Sequence, residues 1–495
     1  MILFLSFCSH FGFTAESGLD VHIFQTTREG DRLKKVEATP LDNKDSRYRL
    51  KIDPSVKHQT IVGIGSSFTE SAAAVWSELS KKQQQALMHT YFSEDGAWLS
   101  LTRTHIASCD FSLKNYTYAP VPNDHELTHF SIDADRNYLL PFIKAAQSVD
   151  GSDFKIIASP WTAPPWMKTN QDWNGGELLL EHYSTFALYI SKYIHAYKAE
   201  GIPIWGITPE NEPLGNNSNW ESLHFNPNQM RNFIANYLGP QLRADHSSVS
   251  IWMYDQNREE EMMEWAEVIY GDPEASSYVR GTAVHWYQST VDVGSEFLDK
   301  HQALYANKEL LHTEGCIDSI GNDEPIGSWL EDDWYWRAEA TDWGYFWAKD
   351  EDKSNHPPYR PFYRYTRDLI EGFNHHLVGW IDWNMMLNQR GGPNHAHNFC
   401  LAPVLVNSGN DSYYLTPLYY SIAHVSKFVR PGAKRVHLSG CADELMGTAF
   451  ENKDGSYVVI LFNGTEENAT ISIELNASII THQIPAEALQ TICIR

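Results

Sequence analysis

Eight short apolar runs, with stretches of helical spacing between them, constrain this chain more than any other feature. The runs lie at 61–65, 99–107, 155–160, 204–208, 249–254, 282–286, 310–313 and 378–383. Short apolar runs bounded by Gly, Pro or polar residues read as buried strands. Helical patterns fill the gaps at 71–92, 135–148, 178–200, 228–242, 259–269, 295–305 and 361–374. Eightfold strand-then-helix alternation predicts an α/β fold, a (β/α)8 TIM barrel. The span of about 355 residues exceeds the ~250 typical of that barrel, so loops must be enlarged. The sequence places the enlargements at 110–130 and 318–359.

Outside the barrel the pattern is extended. Val21-His22-Ile23-Phe24-Gln25 and Tyr48-Arg49-Leu50-Lys51-Ile52 read as strands. So do 435–438, 445–450, 457–462, 469–475 and 479–484, with a hairpin turn at Asp454-Gly455. These predict a flanking all-β sandwich that combines the C-terminal region with N-terminal strands. The expected organisation is 1–58 for the N-terminal strands, 59–414 for the barrel and 415–495 for the C-terminal sandwich. Val458, Val459, Ile460 and Leu461 are too apolar to face water, so this module is expected to pack on the barrel.

The chemistry concentrates at strand ends. Ile204 to Thr208 form a run that Pro209 must interrupt, because proline has no ladder donor. Glu210, Asn211 and Glu212 follow at once. About a hundred residues later Leu310-Leu311-His312-Thr313 delivers Glu314 in the same way. At the carboxyl ends of barrel strands such residues occupy the mouth, where chemistry is placed. Two carboxyls facing each other suit glycoside hydrolysis, one protonating the leaving oxygen and the other attacking carbon or activating water. Other strand ends carry Arg103, Asp110, Phe111, Trp161, His285, Trp286, Tyr287, Asp382, Trp383 and Asn384.

Composition narrows the partners. A formal net charge of −25, from 63 acidic and 38 basic residues, argues against nucleic acid and anionic membranes as partners. No 18-residue apolar run is present, so no transmembrane segment is expected. Six cysteines in so long a chain are not a disulfide framework, and Cys441–Cys493 is the one pairing kept open. No zinc motif occurs; His375-His376 and the His395–His397 stretch read as loop histidines. The apolar stretch 1–13 is either a degenerate secretion signal or a strand. Sequons at Asn115, Asn216, Asn410, Asn463, Asn468 and Asn476 bear on a secreted chain only.

The motifs resemble those of glycoside hydrolase family 30, and most closely its glucosylceramide-hydrolysing members. They are Gly-Ile-Gly-Ser-Ser-Phe-Thr-Glu-Ser-Ala-Ala (63–73), Ala-Ser-Cys-Asp-Phe-Ser (107–112) and Ala-Ser-Pro-Trp-Thr-Ala-Pro-Pro-Trp-Met-Lys-Thr-Asn (158–170). Glu-Asn-Glu-Pro (210–213), Ala-Val-His-Trp-Tyr (283–287), Thr-Glu-Gly-Cys (313–316), Gly-Trp-Ile-Asp-Trp-Asn (379–384) and Gly-Gly-Pro-Asn (391–394) follow in order. The resemblance implies a retaining β-glycosidase that uses no metal and no cofactor. It implies Glu212 as acid/base and Glu314 as nucleophile, with Asp110, Trp161, Asn211, Trp383 and Asn398 holding glucose. Arg103, His285 and Tyr287 would support the carboxylates, while Glu210 has no catalytic counterpart. An ionised Glu314 is expected to hold its neighbour Glu212 in the acid form. The implied substrate is a β-glucoside, a glycolipid that brings transient contact with a membrane surface. The implied compartment is secreted, periplasmic or lysosomal. The chain departs from the family at Gly65-Ser66-Ser67, where Gly-Gly-Ala is commoner, and at 393–397. An endo-β-1,6-glucanase of the same family and a carbohydrate-binding pseudoenzyme are the alternatives. The aromatic-rich stretch 329–347 could line a site for lipid or sugar, or simply pack.

Overall fold

The computed structural model describes residues 19–38, 46–215, 219–318, 324–337 and 359–495. The stretch 1–13, Asn216 and the aromatic residues Trp343, Tyr345, Phe346 and Trp347 lie outside them.

All eight expected strands form, and they close into one parallel barrel. They are β1 (Gly63–Phe68), β2 (Leu101–Ile106), β3 (Lys155–Pro160), β4 (Gly206–Ile207), β5 (Ser250–Asn257), β6 (Val279–His285), β7 (Glu309–Glu314) and β8 (Leu377–Asp382). β8 pairs with β1 to complete the ring. β4 is short, yet Trp205 N and Thr208 N continue its ladder to Ile156 O and Ala158 O at 2.8 and 3.0 Å. Pro209 then ends it for want of an N–H. The expected helix 71–92 is two, Glu70–Ser77 and Lys81–Phe92. Ser80 divides them because its hydroxyl accepts from Gln83 N as an N-cap.

Each barrel strand points alternate side chains inward, and the interior is layered by polarity. Leu101, Ile157, Trp252, Ala283 and Leu311 form an apolar floor. Two residues further along β2, β3, β6 and β7 come Arg103, Ser159, His285 and Thr313, all buried and polar. The floor is apolar, and the layer above it carries charge.

The departure at Gly65-Ser66-Ser67 has a physical reading. A Cβ on Gly65 would stand 1.7 Å from Leu101 O, so glycine is required there. Ser66 Oγ donates to Asp382 Oδ2 and Ser67 Oγ to Asp382 O, at 3.0 and 2.8 Å. The two hydroxyls clamp β1 to β8 where Gly-Ala would offer none.

The second domain is a nine-stranded arrangement drawn from both ends of the chain. Val21–Thr27 pairs with Ala488–Ile494, which in turn pairs with Tyr457–Asn463. Ala488–Ile494 is a strand for which the sequence reading made no expectation, and it joins the N-terminal strands to the C-terminal ones. The helix Pro417–Ser426, capped by Thr416, is likewise additional. Cys441 and Cys493 are free thiols, so the pairing kept open is not formed.

Tyr457–Asn463 ties this module to the barrel. Val459 and Leu461 face the sandwich core. Val458, Ile460 and Phe462 face the barrel. Trp329, Trp334, Tyr335 and Trp336 of the enlarged loop are buried, and Trp336 stacks on Phe362 at 4.4 Å beside Phe462. These four rings pack into the protein and line no rim. We predict that Phe462→Ala costs ~3–5 kcal/mol of stability, as loss of a buried ring does. Thermal unfolding should show a large fall in Tm, with kcat per folded molecule unchanged; an unaltered Tm would mean the seam bears no load.

Candidate active site

Above the apolar floor, a charged network fills the barrel mouth. Arg103, fully buried on β2, bonds to Glu314 Oε2 through one terminal nitrogen. Its other terminal nitrogen donates to Asn211 Oδ1 and Asp255 Oδ2, both at 2.7 Å. Its guanidinium also lies 4.7 Å from the Trp161 ring and 5.6 Å from that of Trp383, which stack on each other at 5.2 Å. One arginine thus fixes a carboxylate, an amide and two aromatic walls.

His285, at the end of β6, lies between two acids. Its Nδ1 is 3.1 Å from Glu212 Oε1 and its Nε2 is 3.0 Å from Asp255 Oδ1. Burial opposes the imidazolium, but Glu314, Asp255 and Glu212 raise its pKa to about 9. At neutral pH both ring nitrogens therefore donate. Tyr287 OH donates to Glu314 Oε1 at 3.0 Å. Glu314 is more enclosed than Glu212, with side chains 8% and 23% exposed. Burial pushes Glu314 upward, as does Glu212, while His285 and Arg103 pull it down; the net direction is up. One polar atom each of Glu212, His285 and Glu314 lie within 4.8 Å of one another. That spacing would also suit a metal. Here the guanidinium of Arg103 and the imidazolium already neutralise these carboxylates, so the donor set does not fit a divalent ion.

Asp110 and Asn398 form a second pole. Asn398 Nδ2 donates to Asp110 Oδ2 at 2.8 Å, and Asp110 Oδ1 is buried without a partner. Burial, then the charge of Glu314, raises the Asp110 pKa to about 8. Behind it Glu221 meets Asn115 Nδ2 at 2.9 Å and His395 Nε2 at 3.4 Å.

The structure brings all ten residues expected from the sequence together at the barrel mouth. Glu210 does not join it: its carboxyl is fully buried without a partner, and burial drives its pKa well up. Asp382 and Asn384 serve the scaffold, accepting from Tyr365 OH and Thr69 Oγ1 at 2.7 and 2.8 Å. His375 and His376 face Asp299, and neither they nor His397 belong to a three-ligand group among the described residues.

Asp255 was missed. It accepts from Arg103, His285, Thr313, Thr208 and Ser159. Burial opposes its charge, yet Arg103, His285 and Thr313 hold its pKa far below the usual range. Alternation from Trp252 would turn Tyr254 inward. Instead Tyr254 and Asp255 have φ of 79° and 56°, and the β5–β6 register shifts between Tyr254 and Gln256. This bulge re-aims the strand and turns Asp255 into the site. The one available signal was an acid just past a strand.

Two family models match the chain. The glycosyl hydrolase family 30 TIM-barrel domain covers 61–345 and 337–429, and the family's beta sandwich domain covers 432–492. Lysosomal acid glucosylceramidase of Mus musculus is 33% identical over 91% of this chain and 84% of its own length. SrfJ from Salmonella typhimurium superposes with a TM-score of 0.82 at 28% identity, covering 96% of this chain and 99% of that one. A solved endo-β1,6-glucanase gives 0.81 at 29%, with the same coverage.

We predict that Asp255→Asn lowers kcat by ~10²-fold with little change in KM, as loss of transition-state positioning does. Without the Asp255 charge the His285 pKa falls, so imidazolium is lost at lower pH. The alkaline limb of the pH–activity profile should move down, whereas a purely structural role would lower Tm and leave the limb in place.

Proposed function

The chain belongs to glycosyl hydrolase family 30, and on that premise we propose that it is a retaining β-glucosidase whose substrate is glucosylceramide. That it is a glycosidase follows from the family. The spacing of Glu212 and Glu314, atoms within 4.8 Å, carries the retaining assignment. Carboxyls ~5–5.5 Å apart leave no room for an activated water, whereas inverting pairs stand ~6.5–9.5 Å apart.

In this reading Glu314 attacks the anomeric carbon while Glu212 protonates the departing oxygen. The carbon–oxygen bond to the aglycone breaks, and an ester to Glu314 forms. Glu212, now a carboxylate, takes a proton from water as the water attacks the same carbon and releases Glu314. The enclosed Glu314 forms the ester, and the more exposed Glu212 exchanges protons with solvent. Asn211, held by Arg103, faces the sugar 2-hydroxyl, a contact that strengthens in the transition state. Trp161 and Trp383 give the ring an apolar wall.

Asp110 Oδ1 lacks a donor, and a sugar hydroxyl can supply one. That contact favours the carboxylate, so sugar binding should release a proton at neutral pH. The bound form carries fewer protons, so affinity for a glucose-shaped inhibitor should rise with pH toward about 8 and level off above it. Calorimetry in buffers of different ionisation heat would detect the proton; no release would remove Asp110 from the sugar site.

The mouse relative supports the glucosylceramide reading and a secreted or lysosomal-type compartment. The endo-β1,6-glucanase structure and the polar rim at Glu221, His395 and Asn115 favour the second reading, a β-1,6-glucan. Among the described residues no helix is long and apolar enough to cross a membrane.

Glu314→Gln should abolish turnover. Glu212→Ala should spare substrates with good leaving groups and, with azide, yield β-glucosyl azide; an α-azide would overturn the retaining assignment. Detergent-dispersed glucosylceramide should give a higher kcat/KM than β-1,6-glucan. Oligosaccharide release with glucosylceramide intact would establish the second reading.

A further inference from the structure

A cleft of about 520 Å³ lies far from the barrel mouth, between the sandwich and the turn that precedes β2. Its lining includes Phe24, Trp98, Lys427, Phe428, Arg430 and Lys453. In a chain of net charge −25, such a concentration of cations is unexpected. Among the described residues none of these three cations forms an ion pair with a carboxylate. Lys427 donates to the carbonyls of Glu94 and Gly96, and Arg430 to those of Trp98 and Ser426. The acids in the lining make no contact with them: Asp454 faces Arg495 at 3.9 Å, and the exposed Glu94 acts on Lys427 and Arg430 through its charge alone. Burial lowers the Arg430 pKa to about 10, and the charges of Asp153 and Glu94 offset it only in part.

The apolar part is equally incomplete. Phe24 and Phe428 meet at 4.5 Å, and both remain partly open to the cleft. Trp98 lies under the Arg430 guanidinium at 3.7 Å. It adopts φ of 51°, a left-handed conformation that a bulky side chain rarely takes. Strain of that kind persists where the surroundings hold a side chain in a required place. Partly exposed rings beside cations that touch no carboxylate match one ligand chemistry, an apolar body ending in an anion.

We propose that this cleft binds a small amphiphilic anion of the medium-chain carboxylate class. The carboxylate sits against Arg430, Lys427 and Lys453, and the chain lies along Phe24, Phe428 and Trp98. A charge-assisted head is stronger than a neutral one, and the apolar body supplies area a bare anion lacks.

Calorimetric titration of the full chain with octanoate, octan-1-ol and inorganic phosphate tests this, with a saturating glucose-shaped inhibitor closing the barrel mouth. Octanoate should bind one to one, at least tenfold tighter than octan-1-ol or phosphate. Lys453→Glu, at an exposed site, and Arg430→Gln should each weaken octanoate at least fivefold while aryl β-glucoside hydrolysis is unchanged. Equal binding of octan-1-ol would overturn the anionic head, and equal binding of phosphate the apolar body. Octanoate affinity unchanged in Lys453→Glu, or absence of saturable binding in the parent chain, would overturn the site.

Discussion

Asp255 collects hydrogen bonds from residues of five other barrel strands: Arg103 on β2, Ser159 on β3, Thr208 just past β4, His285 on β6 and Thr313 on β7. A buried carboxylate is tolerable only when paired and fully hydrogen-bonded, and this one is both. Its position makes the barrel mouth a single electrostatic unit. Arg103 and His285 each use one donor on Asp255 and another on Glu314 or Glu212, so the anchor and the two glutamates share their cations. Removing the anchor would leave a buried guanidinium and imidazolium partly unpaired, a loss on the order of 3–5 kcal/mol for such a pair.

Sharing cations also sets the protonation of the site. Asp255, Glu212 and Glu314 surround two positive groups, so full ionisation leaves one negative charge in excess. The enclosed Glu314 feels that excess together with its own burial. Asp110, raised to about 8 by burial and by Glu314, belongs to the same electrostatic unit. In the proposed reaction a sugar hydroxyl would be the donor that lets Asp110 ionise.

The barrel and most of the site were legible because both follow from period. Buried strands are short apolar runs, and the residues just beyond them must lie at the mouth. Arg103 was legible as a charge in an apolar strand, and Glu314 as an acid ending one. Asp255 was not, because its inward direction comes from a bulge that no alternation encodes. The break at Ser80 escaped for a similar reason, since a serine inside a helical pattern shows its capping role only once its hydroxyl meets Gln83 N. Ala488–Ile494 mixes Gln490 and Thr491 into an apolar strand, and those two are buried only because it lies between two other strands.

Loops decide what the leaving group is, and here the structure separates two kinds of aromatic residue that composition cannot. Trp161 and Trp383 are fixed by Arg103 inside the site, whereas Trp329, Trp334 and Trp336 are consumed by the seam with the sandwich. Among the described residues, the rim beyond Asp110 includes a set of hydrogen-bonding groups. Glu221, His395 and Asn115 come from three different loops and are held to one another, with His395 Nδ1 also 3.0 Å from Ser112 O. These contacts order the loops around the barrel mouth beside the partly exposed Trp220, which packs against the Trp161–Trp383 cluster, so polar and apolar groups share the rim.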